Sequence, residues 1–451
     1  NGSLQIRGGT GLFTGTPPYV WISNQAGNNG VLFGDLNVRA VKDKNDNIIS
    51  DGRPSLGFTG NMDTYKPAEG SATRSDIAIT DPDFKYPSLW KSNIAADYKF
   101  GDGWVATVEL LYSKDINAIY HDNIGLYRTE QFVNDGGAGN ARPYYNGYYS
   151  DREGNQKAAN HVVMLRNTSK GHSLYTTFQL QKNFVDGILK GLYLNGSYSF
   201  GQSRGVTDGT SSVATSAWKY RAALDGNAEE VGYTAGSFDG RLLLSASYTA
   251  NWGKYAATSF GLIYQRYRPF RYSYCYNGDA NGDSQFSNDL MYIPANFDEV
   301  KDHLLPGDFD SQEDAWKAMN AFIEQDPYLS KHRGEYAERN GAVAPFANQL
   351  DLSVSHDIKI YQKNGRSHTL RFSFNIANFL NLLNRNWGVV QTTVLGNQQY
   401  QFLTIPKGQG PSAANNYTLK YTMAKDLDET FKDNLNDVSR WQMQFGIKYI
   451  F

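Results

Sequence analysis

The final segment of the chain alternates between apolar and mostly polar side chains over eleven residues. The apolar positions are Trp441, Met443, Phe445, Ile447, Tyr449 and Phe451, and the residues between them are Gln442, Gln444, Gly446, Lys448 and Ile450. A β-strand points successive side chains to opposite faces, so a period of two is typical of a strand. The segment therefore predicts a strand with one apolar face, aromatic at both ends, and one mostly polar face.

The same alternation recurs along the whole chain and predicts an all-β fold. Counting these segments gives about eleven long strands, near 3–13, 30–40, 88–100, 104–124, 172–182, 191–202, 239–252, 255–270, 348–361, 367–380 and 439–451. Two shorter segments, near 160–168 and 416–424, are predicted to be hairpin pieces inside long loops.

The connections between the predicted strands alternate between short and long. Short turns lie at 101–103, 184–189, 253–254 and 363–365, and long connections run roughly over 125–171, 203–238, 271–347 and 381–438. Short turns on one side and long loops on the other are typical of outer-membrane β-barrels. A soluble β-sandwich also alternates apolar and polar residues. Long strands and uneven connections nevertheless favour a transmembrane antiparallel β-barrel.

The composition agrees with this class of protein and argues against others. No run of about 18 apolar residues is present, so a transmembrane helix is not expected. The chain has 31 Tyr, 24 Phe and 8 Trp, and amphipathic rings suit the two membrane interfaces. Because 43 Lys+Arg face 45 Asp+Glu, a basic surface for nucleic acid is not indicated. The single cysteine, Cys275, excludes an intrachain disulfide.

The strand count predicts where the chain enters the barrel. If the short turns are periplasmic, the last strand runs down and ends in the periplasm at Phe451. With eleven strands the first also runs down, which places Asn1 on the outside. Bacterial single-chain barrels have an even number of strands. We therefore expect further strands in an N-terminal portion that this chain lacks.

Several stretches resemble TonB-dependent outer-membrane receptors of the SusC-related and Oar-like branch. The most extended is 6–24 (IRGGTGLFTGTPPYVWISN), and the others are 84–90 (FKYPSLW), 276–279 (YNGD), 288–294 (NDLMYIP), 378–384 (NFLNLLN) and 444–451 (QFGIKYIF). They occur in order along nearly the whole chain. The last resembles the family's barrel-assembly signal, carried here by Trp441, Phe445, Tyr449 and Phe451.

This resemblance implies a fold, a location and partners. Members of the family have a 22-stranded barrel, an N-terminal plug and a TonB-contacting box, and Oar-like members add a carboxypeptidase-regulatory-like domain. Residues 1–451 resemble the C-terminal portion of that barrel, without plug or box. The implied location is the outer membrane of a Gram-negative bacterium. The implied partners are outer-membrane lipid, TonB through the missing N-terminal part and a surface lipoprotein.

A polar loop offers clustered oxygen ligands. Asp279, Asn281 and Asp283 alternate in a glycine-containing turn, and Asp289 follows shortly after. Calcium prefers such hard oxygen donors. The spacing matches an EF-hand only in part, because Gly282 comes earlier than in that motif. The prediction is a structural calcium loop, with a surface loop rich in Asx-turns as the alternative; no other cofactor is expected.

The segment 311–324 predicts a helix in the longest loop. Ser311 is a suitable N-cap, with Asp314 three residues further on. Trp316, Met319 and Ile323 form an apolar stripe at helical spacing. The stripe, Trp316 in particular, is a candidate for a lid or for a surface that contacts ligand. The alternative is that it packs onto its own loop.

An aromatic loop supplies the other candidate ligand contacts, namely Tyr144, Tyr145, Tyr148 and Tyr149. Tyrosine offers amphipathic contact area at a low entropic cost, so these rings are suited to stacking on sugars or peptide side chains. The alternative is that they form an interface or the core of the loop.

Polar residues on the wet faces of the strands are predicted to line the barrel interior. Glu109, Asp351, Asp357 and Arg371 are the charged examples, and pairing with a plug is their expected role. Catalytic motifs such as HExxH and the P-loop are absent from the sequence. Asp351, Ser353 and His356 resemble a triad in composition only, because alternation places His356 on the opposite face.

The leading prediction for function is therefore a non-enzymatic importer. Such a receptor would capture a glycan, a peptide or another large solute at its outer loops and admit it when TonB pulls on the plug. The alternatives are a non-transporting scaffold within a larger outer-membrane complex, a passive porin and a barrel enzyme. The odd strand count and the family resemblance oppose a porin, and no clustered catalytic constellation favours an enzyme.

Overall fold

One large antiparallel sheet dominates the computed structural model, which describes residues 3–29, 41–42, 48–49, 60–61, 63, 76–137, 141–149, 161–209, 211–361, 367–396 and 399–451. The long strands of this sheet, numbered β1 to β10, are Leu4–Thr14, Ser88–Phe100, Trp104–Asp115, Gly171–Asn183, Leu192–Gly205, Arg241–Trp252, Ala256–Tyr267, Ala347–Tyr361, Ser367–Ala377 and Gln442–Ile450. Each pairs antiparallel with the next, and a short strand, Gly232–Tyr233, pairs with β5 as an eleventh member. The prediction of an all-β fold is confirmed.

The register between strands aligns side chains of the same character in rows. One row consists of Tyr248, Phe260, Val354, Phe374 and Phe445 from β6 to β10. The row beside it, on the opposite face, consists of Thr249, Ser259, Ser355, Ser373 and Gly446. The predicted alternation therefore produces one apolar face and one polar face that continue across neighbouring strands.

The apolar face is exposed. Phe260 is 43% exposed, Trp90 46%, Ile94 57% and Phe445 65%. A contiguous exposed apolar patch usually marks a surface that contacts another molecule or a membrane. The described residues do not cover this face.

The connections follow the predicted division into short and long. Tight turns join β2 to β3 at 101–103 and β6 to β7 at 253–255, and a slightly longer one joins β4 to β5 at 184–191. Gly103 has a φ of +77°, and a Cβ there would lie 2.3 Å from the carbonyl oxygen of Asn183, so this turn requires glycine. The predicted turn at 363–365 lies outside the described residues.

The strand count corrects one prediction. The predicted strand near 30–40 lies outside the described residues, but β1 pairs directly with β2 from Leu4↔Tyr98 to Thr14↔Ser88, which leaves no place for a strand between them. Among the described residues the sheet therefore has ten long strands. Leu4 lies at the edge of the sheet that carries the short turns, as does Ile450. The prediction that the chain enters from the long-loop edge is wrong, because it depended on an odd count.

The long connections fold together into what we call the loop domain, the described residues of 15–87, 116–170, 206–240, 268–346 and 378–441. Its helices, numbered α1 to α4, are Tyr19–Gly27, Ala214–Lys219, Gln312–Gln325 and Phe379–Leu383, with 3₁₀ turns at Phe297–Glu299, Leu329–Lys331, Ala413–Asn415 and Asp437–Ser439. Its strands are Val41–Lys42, Ile48–Ile49, Ile77–Thr80, Ala118–Asn123, Leu126–Phe132, Pro143–Tyr148, Val162–Thr168, Gly232–Tyr233, Arg271–Tyr274, Tyr292–Ile293, Glu335–Tyr336, Ala342–Val343, Gln391–Thr393, Gln399–Tyr400, Leu403–Thr404, Thr422–Met423 and Phe431–Asp433.

Helix α3 confirms the helix predicted in the longest loop. The Ser311 hydroxyl accepts a hydrogen bond from the Asp314 amide at 3.0 Å, and it donates one to the Asp314 carboxylate at 2.7 Å. Met319, Phe322 and Ile323 are buried against the rest of the loop domain. No helix in the described parts of the chain is long and apolar enough to cross a membrane.

Candidate functional site

The loop domain has a hydrophobic core of its own, rich in tyrosine. Tyr272, Tyr274, Tyr276 and Tyr400 are at most 1% exposed and contact one another or the rings around them. The Tyr274 hydroxyl donates to the Asp326 carboxylate at 2.6 Å. A buried tyrosine usually needs such a partner for its hydroxyl. This core makes the loop domain a folded unit rather than a set of independent loops.

A buried arginine joins distant parts of this core. Arg142 is fully buried and forms ion pairs with Asp135 at 2.9 Å and Asp289 at 3.2 Å. Its guanidinium carbon lies 5.5 Å from the ring centre of Tyr276. Burial alone would lower the pKa of Arg142, but the two carboxylates outweigh it and raise the pKa. The predicted acidic loop is thereby connected to the aromatic loop.

The residues predicted to bind calcium lie together in the interior of the loop domain. Asn281, Asp283 and Asp289 are at most 1% exposed. Asp279 accepts hydrogen bonds from the amides of Gly282 at 2.6 Å and Ser284 at 2.8 Å. Gly282 has a φ of +82°, and a Cβ there would lie 2.2 Å from the Tyr145 carbonyl oxygen. That close packing explains the early glycine, which departs from the EF-hand spacing.

Burial dominates the electrostatics of this acidic loop. It raises the pKa of Asp279 and of Asp283, and that of Asp283 is raised further by the charges of Asp289 and Asp279. The pKa of Asp289 is raised to about 7 by burial, although Arg142 opposes the shift. No three acidic, histidine or cysteine side chains among the described residues are grouped so that they could hold a metal ion. Calcium binding at this loop stays a prediction.

The predicted ligand-contacting aromatics are mostly internal. Tyr144, Tyr145 and Tyr148 are 6%, 1% and 9% exposed, whereas Tyr149 is 50% exposed. Trp316 packs beside the core with its ring centre 6.1 Å from that of Phe297. Their placement favours the alternative in which these side chains stabilise the loop domain. Tyr149 is the member of the set that is available to a ligand in this conformation.

The proposed assembly signal lies on the apolar face of the sheet. Trp441, Phe445, Tyr449 and Phe451 are 43%, 65%, 56% and 91% exposed. Phe445 and Tyr449 align with Phe374 and Leu370 of the neighbouring strand β9. The alternation predicted from the sequence therefore places this set where apolar surroundings, rather than the interior of the protein, would cover it.

The charged side chains predicted to line the interior share the polar face. Arg371 forms two hydrogen bonds with Asp357, at 2.6 and 2.7 Å, and Glu109 lies 3.6 Å from Arg7. Asp351 accepts a hydrogen bond from the Asn378 amide at 2.8 Å. His356 contacts Thr258 across the apolar face at 2.9 Å. The prediction that His356 and Asp351 do not converge is confirmed.

The structure also groups residues that were not singled out from the sequence. Arg221, Arg271 and Arg339 line a cavity of about 90 Å³ in the loop domain, together with Asp208 and Ser216. Arg221 belongs to the connection 206–240, and Arg271 and Arg339 lie near opposite ends of the connection 268–346. Because their spacing in the sequence is large and irregular, no local motif signals the cluster.

Comparisons of the chain with protein-family models, with curated proteins and with solved structures found no match.

Proposed function

We propose that the sheet is part of the wall of a transmembrane β-barrel in the outer membrane and that the loop domain lies on its extracellular side. The observation that carries this proposal is the exposed apolar face, which extends across the strands and has aromatics near both ends, such as Trp90 and Trp252. Contact between this apolar face and water is unfavourable in free energy, whereas contact with the acyl chains of lipid is not.

The strand lengths support a membrane-spanning role. The long strands contain 9 to 15 residues each, and a tilted strand needs about 9–11 residues to cross a bilayer. The outermost strands, β1 and β10, have a neighbour on one side only among the described residues. An unpaired strand edge is not tolerated in lipid. We therefore propose that further strands close the wall, as the resemblance to 22-stranded receptors implies.

The polar face supports a solute pathway. Its rows of serine, threonine and charged side chains, such as the Asp357–Arg371 pair, suit water or a polar plug. We propose that the protein is a TonB-dependent receptor that captures a large solute at the loop domain and imports it through the barrel. TonB and a plug would supply the opening step, and this chain supplies the wall and the outer binding surface.

The experiment that tests the membrane placement uses two adjacent residues of β7. Phe260 lies on the apolar face and Ser259 on the polar face, where its hydroxyl is 3.0 Å from that of Thr249. A lysine on the lipid side near the midplane costs about 2–4 kcal/mol, whereas one on the lumen side costs little. Phe260→Lys should strongly reduce the folded fraction in lipid vesicles, and Ser259→Lys should leave it nearly unchanged.

The measurement is the fraction of protein that resists unfolding in an unheated detergent gel after refolding into vesicles. Equal effects of the two substitutions, or folding of the wild type to the same extent without lipid or detergent, would show that the apolar face does not meet lipid. The proposal would then fail.

A non-transporting scaffold is the second candidate. The observation that favours it is the hydrophobic core of the loop domain, which joins the long connections into one folded unit suited to presenting a stable surface to a partner. A scaffold should co-purify with stable partners and should be dispensable for solute uptake. An importer should lose uptake when the receptor is deleted and regain it on complementation.

A further inference from the structure

Three arginines from two connections of the chain meet at the cavity in the loop domain. Arg221 follows helix α2, Arg271 begins the strand Arg271–Tyr274, and Arg339 lies between the strands Glu335–Tyr336 and Ala342–Val343. Their exposed fractions are 5%, 7% and 4%. Charged side chains are almost never this buried unless they are paired. Their partners therefore decide what the cavity can bind.

Two of the three arginines bond only to backbone carbonyl groups among the described residues. Arg221 donates to the carbonyl oxygens of Ala228 at 3.0 Å, Val206 at 3.4 Å and Gly226. Arg339 donates to the carbonyl oxygens of Gly232 at 3.3 Å, Gly205 and, like Arg221, Val206. The Nε atoms of both arginines are buried and have no hydrogen-bond partner. Carbonyl dipoles orient these guanidinium groups but do not neutralise them.

On the lining itself, guanidinium groups outnumber carboxylates. Arg271 forms an ion pair with Asp239. Asp208 lines the cavity as well; it accepts from the Ala235 amide at 2.8 Å and the Asn340 side chain at 3.0 Å, and its charge raises the pKa of Arg339. Glu230 is not on the lining; it accepts from the Leu224 amide at 2.8 Å, and its charge raises the pKa of both Arg221 and Arg339. The lining thus holds three guanidinium groups and one carboxylate.

The protonation behaviour of Arg221 agrees with this imbalance. Burial and the charge of Arg339 together lower the pKa of Arg221 to about 10, although Glu230 and Asp225 oppose the shift. Burial likewise lowers the pKa of Arg339. An anion in the cavity would oppose both shifts, because its negative charge favours the charged form of each guanidinium group.

We propose that this cavity binds a terminal oxyanion, the carboxylate or phosphate group of a larger solute. Guanidinium groups are suited to both because their donors match the oxygens in geometry and charge. The hydroxyl of Ser216, on the same lining, adds a neutral donor. The proposal rests on the proposed receptor function and deepens it, since it assigns an anionic anchor to the captured solute.

The size of the cavity limits the group that enters. A buried water needs about 10–15 Å³, so about 90 Å³ accommodates several waters or one oxyanion group. Tyr220 lines the same cavity and is 60% exposed, so the cavity reaches the surface there. The rest of the solute would extend outward past Tyr220.

The first experiment measures binding to the full-length protein in detergent by titration calorimetry. The probes are N-acetylglycine, its neutral amide N-acetylglycinamide, and inorganic phosphate. We expect saturable binding of N-acetylglycine or of phosphate, and at least tenfold weaker binding of the amide. Preference for one anion tells whether the natural anchor is a carboxylate or a phosphate. Absence of saturable binding of both anions, or equal binding of the acid and the amide, overturns the proposal.

The second experiment places the binding in this cavity. Ser216→Asp adds a negative charge to the lining and should weaken anion binding at least tenfold. Ser216→Asn adds a side chain of nearly the same shape as aspartate but without its charge, and should change binding less than threefold. Arg339→Gln should also weaken binding, and Arg333→Gln, at another site in the loop domain, is its control. Far-UV circular dichroism and the unfolding temperature identify any variant that fails to fold. If Arg339→Gln fails to fold, the comparison of Ser216→Asp with Ser216→Asn carries the test. Unchanged binding in folded Ser216→Asp overturns the assignment.

These measurements are independent of transport and of lipid. If N-acetylglycine or phosphate binds but Phe260→Lys and Ser259→Lys have equal effects, only the proposed receptor function is wrong. If Phe260→Lys alone impairs folding in lipid but neither anion binds, only the inference about the cavity is wrong.

Discussion

The sheet and the loop domain keep their apolar side chains in opposite places. In β10 Phe445 is 65% exposed, whereas in α3 Met319 and Ile323 are fully buried. The loop domain covers its own hydrophobic core and is stabilised against water by that burial. The sheet holds together through backbone hydrogen bonds and leaves an apolar face for its surroundings to cover. The two regions should therefore respond differently to the same kind of perturbation.

We expect pH to produce the largest difference between them. Asp283 and Asp289 lie buried in the loop domain and Asp279 is partly buried, and desolvation raises the pKa of each. The pKa of Asp289 rises from the ordinary 3.8 to about 7. An acid with a raised pKa in the folded state binds its proton more tightly there than when unfolded. The loop domain should therefore lose stability as pH rises from about 4 to about 7.

Hydrogen exchange of the α3 amides, compared with those of β7, measures this prediction. Asp283→Asn should reduce the change in amide protection of α3 with pH, and amide exchange in β7 should change little over the same pH range. Added calcium at pH 7.5 should restore protection if the acidic loop binds it, and the calcium prediction is wrong if protection does not change. A loop domain that becomes more protected as pH rises to 7 would contradict the pH prediction itself.

The next largest effect concerns one ion pair in each region. Arg142→Gln leaves Asp135 and Asp289 buried without their counter-charge, which should cost about 3–5 kcal/mol of unfolding free energy. Arg371→Gln removes the partner of Asp357 on the polar face of the sheet, where Arg371 is 42% exposed. That pair should contribute about 0–1 kcal/mol. Denaturant unfolding followed by tryptophan fluorescence gives both values, and equal costs would show that the core around Arg142 admits water.

The smallest effect in this series compares two methionines. Met319 is fully buried in α3, and Met443 is 49% exposed on the apolar face of β10. Met319→Ala should destabilise the loop domain by about 2–5 kcal/mol through the cavity it leaves. Met443→Ala should cost under about 1 kcal/mol in detergent, because detergent fills the space. Limited proteolysis reports the stability of the loop domain, and the shift in an unheated gel reports that of the sheet. A larger loss of stability for Met443→Ala than for Met319→Ala would contradict the comparison.

Much of the sheet was predictable from local pattern. The strand predicted at 88–100 coincides with β2, and those predicted at 172–182, 348–361 and 367–380 fall on β4, β8 and β9 to within a few residues. The helix at 311–324 was predictable for the same reason, since its cap and its apolar spacing are local. Errors arose where a segment continued to alternate after leaving the sheet, as at 104–124, which divides into β3 and the strand Ala118–Asn123.

The sequence by itself determined which side chains share a face, because a period of two needs no knowledge of neighbouring strands. It also determined where the tight turns lie, through residues such as Gly103. Only the tertiary structure decided that Tyr144, Tyr145 and Tyr148 are internal and that Arg142 joins Asp135 to Asp289. It alone brought Arg221, Arg271 and Arg339 to one cavity. Such groupings depend on contacts between residues far apart in the chain, which packing sets and no local periodicity encodes.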